Sequence, residues 1–267
     1  MSVATIPRRP IEGMGVDFYS SVLKKLIARG VITTAMTVLV IAGGERDQAV
    51  LLDAGFTDVV ISNLDTRISG DEFAPYSWSF QDAENLTYSD GAFDLVIIHA
   101  GLHHCHSPHR ALLEMYRVSR VGALIFEARD NVFLKAATAL GVSEVFELTA
   151  VRAHGCAFGG VANTQIPNYI YRWTEHEVKK TVWSYAPQHV HNIEFFYGVR
   201  TPATLKANRR PLIRVLALVL MPAVRLFVGL FPKLGNEFGI FIAKPKPLEN
   251  LQPWLQADGD TVAMKRE

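Results

Sequence analysis

TVLVIAGGERD, residues 37–47, is the stretch from which the fold is read. Residues 37–41 form a short apolar β-run that ends in small residues. A helical pattern follows over residues 48–54 and is closed by Gly55. This is a strand, a tight turn and a helix. Further strands follow at DVVISNL (58–64), SWSFQD (77–82), DLVII (94–98) and ALIFEA (123–128). Between the last two, residues 110–119 are helical, with Leu112, Leu113, Met115, Tyr116 and Val118 on the apolar side. Continuous apolar strands that alternate with helices predict a parallel sheet covered on both faces.

On either side of this core the pattern changes. Residues 17–29 space Tyr19, Val22, Leu23 and Leu26 as a helix does, with Gly30 as the stop signal. After residue 130, residues 131–140 read as a helix and 156–169, rich in Gly and Asn, as a loop. Residues 173–183 read as a helix, and 193–199 and 238–244 as strands. Between these two strands lies PLIRVLALVLMPAVRLFVGLF, residues 211–231, almost as apolar as a membrane span. Arg214, Arg225 and Pro222 interrupt it, and an arginine near mid-bilayer costs roughly 2.5–3.5 kcal/mol. A buried helical pair, or helices resting on a membrane surface, is expected instead. The tail from Pro245 reads as peripheral with a mobile end.

The chain has 267 residues, 49% of them hydrophobic, and a formal net charge of +1. That is globular composition, without the strong basicity of a general nucleic-acid binder. Two cysteines, Cys105 and Cys156, give no disulfide framework and fit a reducing compartment. The basic N-terminus lacks the apolar region of a signal peptide. The expected location is cytoplasmic, with peripheral membrane contact left open.

Ligands of open α/β sheets bind beyond the carboxyl ends of the strands. After the first strand stand Ala42, Gly43 and Gly44, small enough for a ligand to approach the backbone, with helix N–H groups next. After the second stands Asp65, about twenty residues on, where a carboxylate can accept both hydroxyls of a ribose. After the third stands Asp82, placed to meet an adenine amino group. Nucleotide binding is expected from the three together. The dinucleotide fingerprint G-x-G-x-x-G is missing from AGGERD, which argues against an NAD(P)-dependent oxidoreductase.

These stretches, with QDAENLTYSDGAFDLVI (81–97), the following LHH and the helix ending RVSR, resemble the class I S-adenosylmethionine-dependent methyltransferases that act on small molecules and lipids. The resemblance covers residues 35–130 well and the C-terminal third weakly. It implies an α/β, Rossmann-like, doubly wound sheet of seven strands. The sheet is mostly parallel, with an antiparallel last strand, helices on both faces and a helical insertion before that strand. It places Ala42, Gly43 and Gly44 under the methionine part of the cofactor, Asp65 on the ribose, and Asp82 and the Ala83 backbone at the adenine. His99 falls on the methionine side. The family commonly has an acid where Val40 stands, and glycines where Ala42 and Arg46 stand. Glu45 or Asp47 could compensate for the acid. The implied organisation is a cap region at 1–34, a cofactor-binding core at 35–130, a substrate-side part at 131–247 with an insertion at about 203–232, and a tail at 248–267.

HAGLHHCHSPHR, residues 99–110, has zinc-like spacings at His103, Cys105, His106 and His109. It follows a strand directly and lacks a second cysteine pair, so no metal is assigned. Ser107 and Pro108 read as the cap and first turn of the next helix, with His106 in the loop and His109 in that first turn. His103 and His104 face the expected acceptor and are the candidate catalytic bases. His154, Asn163, Asn168, Tyr169, Tyr171 and Arg172 are candidates to line the acceptor pocket. The expected reaction moves a methyl group to O or N of a small-molecule, glycan or lipid-linked acceptor. A homodimer stays open. The rival reading is a degenerate cofactor domain acting as a partner or membrane-surface scaffold.

Overall fold

The computed structural model describes residues 16–68, 71–139, 141, 143–199 and 211–266. Residues 1–15 of the expected cap region and 203–210 of the insertion lie outside these, as do the side chain of Arg214 and the end of the tail.

Seven strands form one sheet: β1 (Val38–Ile41), β2 (Val59–Asn63), β3 (Ser77–Phe80), β4 (Phe93–His99), β5 (Ser119–Ala128), β6 (Asn192–Gly198) and β7 (Glu237–Ala243). Their spatial order is β3-β2-β1-β4-β5-β7-β6. Neighbours from β3 through β5 are parallel, whereas β7 runs antiparallel to both β5 and β6. The expected architecture is thus the observed one. β5 begins at Ser119, four residues earlier than the apolar run suggests.

Apolar residues fill the strands because both sheet faces are covered. Leu39, Ile41, Val96, Ile98, Ala123 and Ile125 point to one face, against α3 (Pro108–Val118) and α6 (Glu175–Tyr185). Val38, Val40, Leu95, Ile97 and Leu124 point to the other, against α1 (Val16–Ala28) and α2 (Glu45–Ala54). The period-2 alternation of side chains across a strand sorts one apolar run into two cores.

Three further α-helices stand among the described residues: α4 (Val132–Ala139), α5 (Leu148–Ala153) and α7 (Pro211–Leu230). The expected buried helical pair at 211–231 is a single helix that runs through Pro222. Of its described side chains only Val228 is buried, while Val219, Leu226 and Leu230 are about 70% exposed. Among the described residues no helix is long and apolar enough to cross a membrane. The tail also departs from expectation. β8 (Leu255–Asp258) and β9 (Thr261–Met264) form a hairpin, and the preceding segment docks where Val190 N–H donates to the Asn250 carbonyl. The hairpin's two-residue loop has Gly259 at φ 59°, a left-handed conformation glycine adopts without strain.

The turn after β1 is held from below by Asp47. Its carboxylate accepts the Gly44 N–H at 3.0 Å and is buried beside the Tyr19 hydroxyl. Burial pushes its pKa up to about 6, against the pull of the Gly44 N–H and of Arg46. An acid whose pKa is higher folded than unfolded favours folding at low pH. That contribution is lost as pH rises from 3.8 through about 6 and is absent above. An asparagine at this position would keep an acceptor for Gly44 and carry no charge. Asp47→Asn is therefore expected to stabilise the protein by up to about 3 kcal/mol at pH 7.5 and to add nothing at pH 4, as read from urea unfolding at both pH values.

Candidate active site

The strand order reverses between β1 and β4, and a cleft of about 500 Å³ opens at their carboxyl ends. Its floor is the turn 42–44. Ala42 takes a left-handed φ of 52°. Gly43 donates to the Ser62 carbonyl at 2.9 Å, and its own carbonyl accepts Asn63 Nδ2 at 2.9 Å. A Cβ on Gly43 would stand 2.7 Å from Val40 Cγ1 and 3.0 Å from Ile61 Cγ2. One on Gly101, after β4, would stand 2.8 Å from Ala42 Cβ. Only glycine lets these backbones approach so closely, which leaves the cradle above them clear.

Asp65, Asp82 and Ala83 line the cleft at successive strand ends, together with Ala42, Gly43 and Gly44. Arg67 pairs with both oxygens of Asp65, through Nε at 2.6 Å and through Nη2. The guanidinium holds the Asp65 carboxyl below the usual range and lies 3.2 Å over the Phe158 ring. Asp82 turns its own loop by accepting the Glu84 N–H at 2.9 Å. Glu84 in turn accepts the N–H groups of His106 and Ser107 at 2.6 and 3.0 Å, which ties the loop after β3 to the loop after β4.

The histidine cluster divides into distinct roles. His99 is stacked on Tyr19 with ring centroids 5.2 Å apart and is not among the residues that line the cleft. Ser107 caps α3 by accepting the Arg110 N–H, with Pro108 in the first turn. His106 lies in the loop at the cleft, and His109 packs on Trp173. Cys105 lines the cleft, but burial and then Glu84 push its thiol up to about 12, so it stays a thiol.

His103 is 8% exposed, pointing into the protein. Its Nδ1–H donates to Glu127 Oε2 at 2.6 Å, and its Nε2 stands 3.3 Å from Glu147 Oε2. Burial alone would lower its pKa, but the charges and hydrogen bonds of the two carboxylates outweigh burial and raise it to about 10. His104 lines the cleft, with Nδ1 3.3 Å from the Gly160 carbonyl and Nε2 3.3 Å from Glu147 Oε2. Burial and the neighbouring His103 charge lower its pKa. The adjacent imidazoles are therefore not alternatives. Near neutral pH His103 is charged and His104 neutral. Glu147 is pulled down to about 2, because the histidines and Asn168 outweigh its own burial.

The candidates for acceptor binding also separate. His154 and Asn163 line the cleft. Asn168 is buried beneath it and donates to Glu147 Oε2 at 3.2 Å. Tyr169, Tyr171 and Arg172 line a second cavity beside α4, where the Tyr171 hydroxyl donates to Glu177 at 2.9 Å. Arg172 is tied there to the Glu144 carbonyl at 2.6 Å. Sequence reasoning missed Arg67, Glu84, Glu127, Glu147 and Phe158. Glu127 had a signal, as the lone acid in the apolar run ALIFEA; Glu147 had none, since only the fold brings it to histidines 43 and 44 residues earlier.

Residues 42–126, the segment that builds this floor, match the family model described as a methyltransferase domain. That match spans 85 of the chain's 267 residues and likens this segment to a methyltransferase domain. Among solved structures it is similar to a protein from Pyrococcus horikoshii (13% identity, 89% of this chain and 94% of the other, TM-score 0.50), which shows the fold. It is also similar to magnesium protoporphyrin IX methyltransferase from Synechocystis (13% identity, 86% and 83%, TM-score 0.49). A third is the 1,6-didemethyltoxoflavin-N1-methyltransferase of Burkholderia thailandensis (16% identity, 87% and 79%, TM-score 0.46). No curated protein matches the sequence.

Glu127 has two dependents, the Leu102 N–H at 2.7 Å and His103. Removing one partner of a buried ion pair strands the other, at about 3–5 kcal/mol. Glu127→Ala should lose about that much in urea unfolding, and Glu127→Gln distinctly less, because its amide oxygen still accepts one of the two donors.

Proposed function

We propose that the protein transfers a methyl group from S-adenosylmethionine to an oxygen or nitrogen of a small-molecule, glycan or lipid-linked acceptor. The observation that carries this reading is the order of groups along one cleft. The glycine cradle comes first, Asp65 and Asp82 follow at successive strand ends, and His104 closes the far wall. The residues fit the cofactor. Gly43 and Gly101 leave room where a Cβ would intrude, and two carboxylates face the cleft, Asp65 paired with the half-exposed Arg67.

When bound, S-adenosylmethionine supplies a methyl group activated on a sulfonium. The chain's own residues have three tasks. Asp65 exchanges its Arg67 partner for the ribose hydroxyls, while Asp82 and the Ala83 backbone address the adenine. His99, stacked on Tyr19, backs the methionine end from behind the cleft lining. Phe158 and the 159–163 segment, which line the cleft, exclude water from the reacting pair. His104, neutral and facing the cleft, is placed to take the proton of an acceptor hydroxyl. His103 is not, because it already holds a proton near neutral pH, and it acts as a positioning residue through Glu147.

A lipid-linked acceptor has a specific observation in its favour. Phe133 on α4 and Phe227 on α7 are exposed and pack together with centroids 6.1 Å apart, amid other exposed apolar side chains of the two helices. Tyr169, Tyr171 and Arg172 stand beside α4 in the second cavity and would meet the distal part of a long acceptor.

Isothermal titration with S-adenosylmethionine tests the cofactor roles. Wild type should bind, and Asp65→Ala should bind at least about tenfold more weakly, one good pair of charge-assisted hydrogen bonds. No binding at millimolar cofactor would leave the scaffold reading in its place. Competition by NAD(P) in the same titration would favour an oxidoreductase.

A further inference from the structure

His103, His104 and Glu147 bring three electron-pair donors to one point. Glu147 Oε2 stands 3.3 Å from Nε2 of each imidazole, and the three atoms lie within 4.8 Å of one another. The remaining nitrogen of each ring is committed. His103 Nδ1–H donates to Glu127, and His104 Nδ1–H donates to the Gly160 carbonyl. A cation that displaces the Nε2 proton of His103 would meet both Nε2 atoms and the Glu147 oxygen at one point. The carboxylates of Glu127 and Glu147 stand within 3.3 Å of the rings and supply the negative surroundings that a divalent cation needs. Two ligands about 2.0 Å from a tetrahedral ion stand about 3.3 Å apart, the spacing Glu147 Oε2 keeps from each nitrogen.

The surroundings are those of a built site. Glu127 is buried and orients His103 through its second nitrogen, the outer-shell arrangement that raises the basicity of a ligating imidazole. Asn168, also buried, donates to Glu147 Oε2 and fixes its rotamer. Gly160 must be glycine to present its carbonyl here, since a Cβ would stand 1.9 Å from the Ile166 carbonyl oxygen. His104 and Gly160 line the cleft, so the fourth position opens toward the acceptor.

We propose that His103, His104 and Glu147 bind one divalent transition-metal ion of the zinc type, with its open coordination position facing the acceptor side of the cleft. Two imidazoles and one carboxylate select such an ion over magnesium or calcium, which prefer oxygen alone. The ion site stands by itself. Its use rests on the methyltransferase reading: a hydroxylated acceptor would bind the ion through oxygen and lose its proton to water at neutral pH. The O–CH₃ bond then forms as the S–CH₃ bond breaks, leaving a neutral thioether. In this metal-loaded form His104 is a ligand, and the ion replaces it as the group that acidifies the acceptor.

The test is titration of chelator-treated protein with Zn²⁺ by calorimetry, and with Co²⁺ followed by visible absorption. The expected result is one ion per chain, with a tetrahedral Co²⁺ spectrum. Glu147→Gln and His104→Ala should each weaken binding at least about tenfold while keeping the wild-type circular dichroism. Cys156→Ser and His176→Ala, both outside the cluster, should leave it unchanged. No stoichiometric binding, or binding unaltered in both cluster variants, overturns the proposal. S-adenosylmethionine titrated in chelator separates the two claims: cofactor binding without metal binding removes the ion site alone.

Discussion

A carboxylate shut away from water has to be answered by donors, and Glu127 sets that condition at the centre of this molecule. It sits at the end of β5, 5% exposed, in a strand otherwise built largely of apolar side chains. Its two oxygens accept the Leu102 N–H and the His103 ring. The loop after β4 is therefore pinned to the end of β5. His103 is drawn inward and His104, by the local one-turn helix at 102–104, is turned out to the cleft. Glu147 and the start of α5 then close on the histidines. One buried charge thus decides which of two neighbouring imidazoles meets a ligand.

The two walls of the cleft are built on different physical terms. The wall beside β1 is backbone and glycine, fixed by backbone hydrogen bonds and by sterics that tolerate no Cβ. The opposite wall is a network of polar and ionisable side chains drawn from four separate segments. The first suits a ligand common to a family, because it depends on chain path. The second suits discrimination, because it depends on which side chains happen to meet there.

That contrast explains what the sequence discloses. The sheet is legible because an apolar run of four or five residues between turn signals leaves a strand few alternatives. The positions of Gly43, Gly44, Asp65 and Asp82 follow, since each comes directly after a strand. His103 and His104 are adjacent in sequence and differ only in burial, which no local pattern records. Glu147 reaches them from a short helix that carries no signal of its own. The apolar run at 211–231 misleads for another reason. Hydrophobicity reports a preference for leaving water, and most described side chains of α7 are nonetheless exposed. The tail hairpin is readable from Asp258-Gly259-Asp260, a turn signal between alternating residues.

The insertion of β7 between β5 and β6 has a consequence for how the molecule is made. Among the described residues β6 pairs with β7 alone in the sheet, and β7 lies along β5 past Phe126 and Glu127. A chain growing from its N-terminus has therefore laid down all of β1 to β5 while the edge beside Glu127 is still bare. Residues 237–243 must arrive before that edge closes. Lys244 then locks the arrangement, its ammonium donating to the carbonyls of Tyr116, Arg117 and Ser119 at the end of α3. The strands that carry the floor of the cleft are thus synthesised well before the strand that covers the edge beside Glu127.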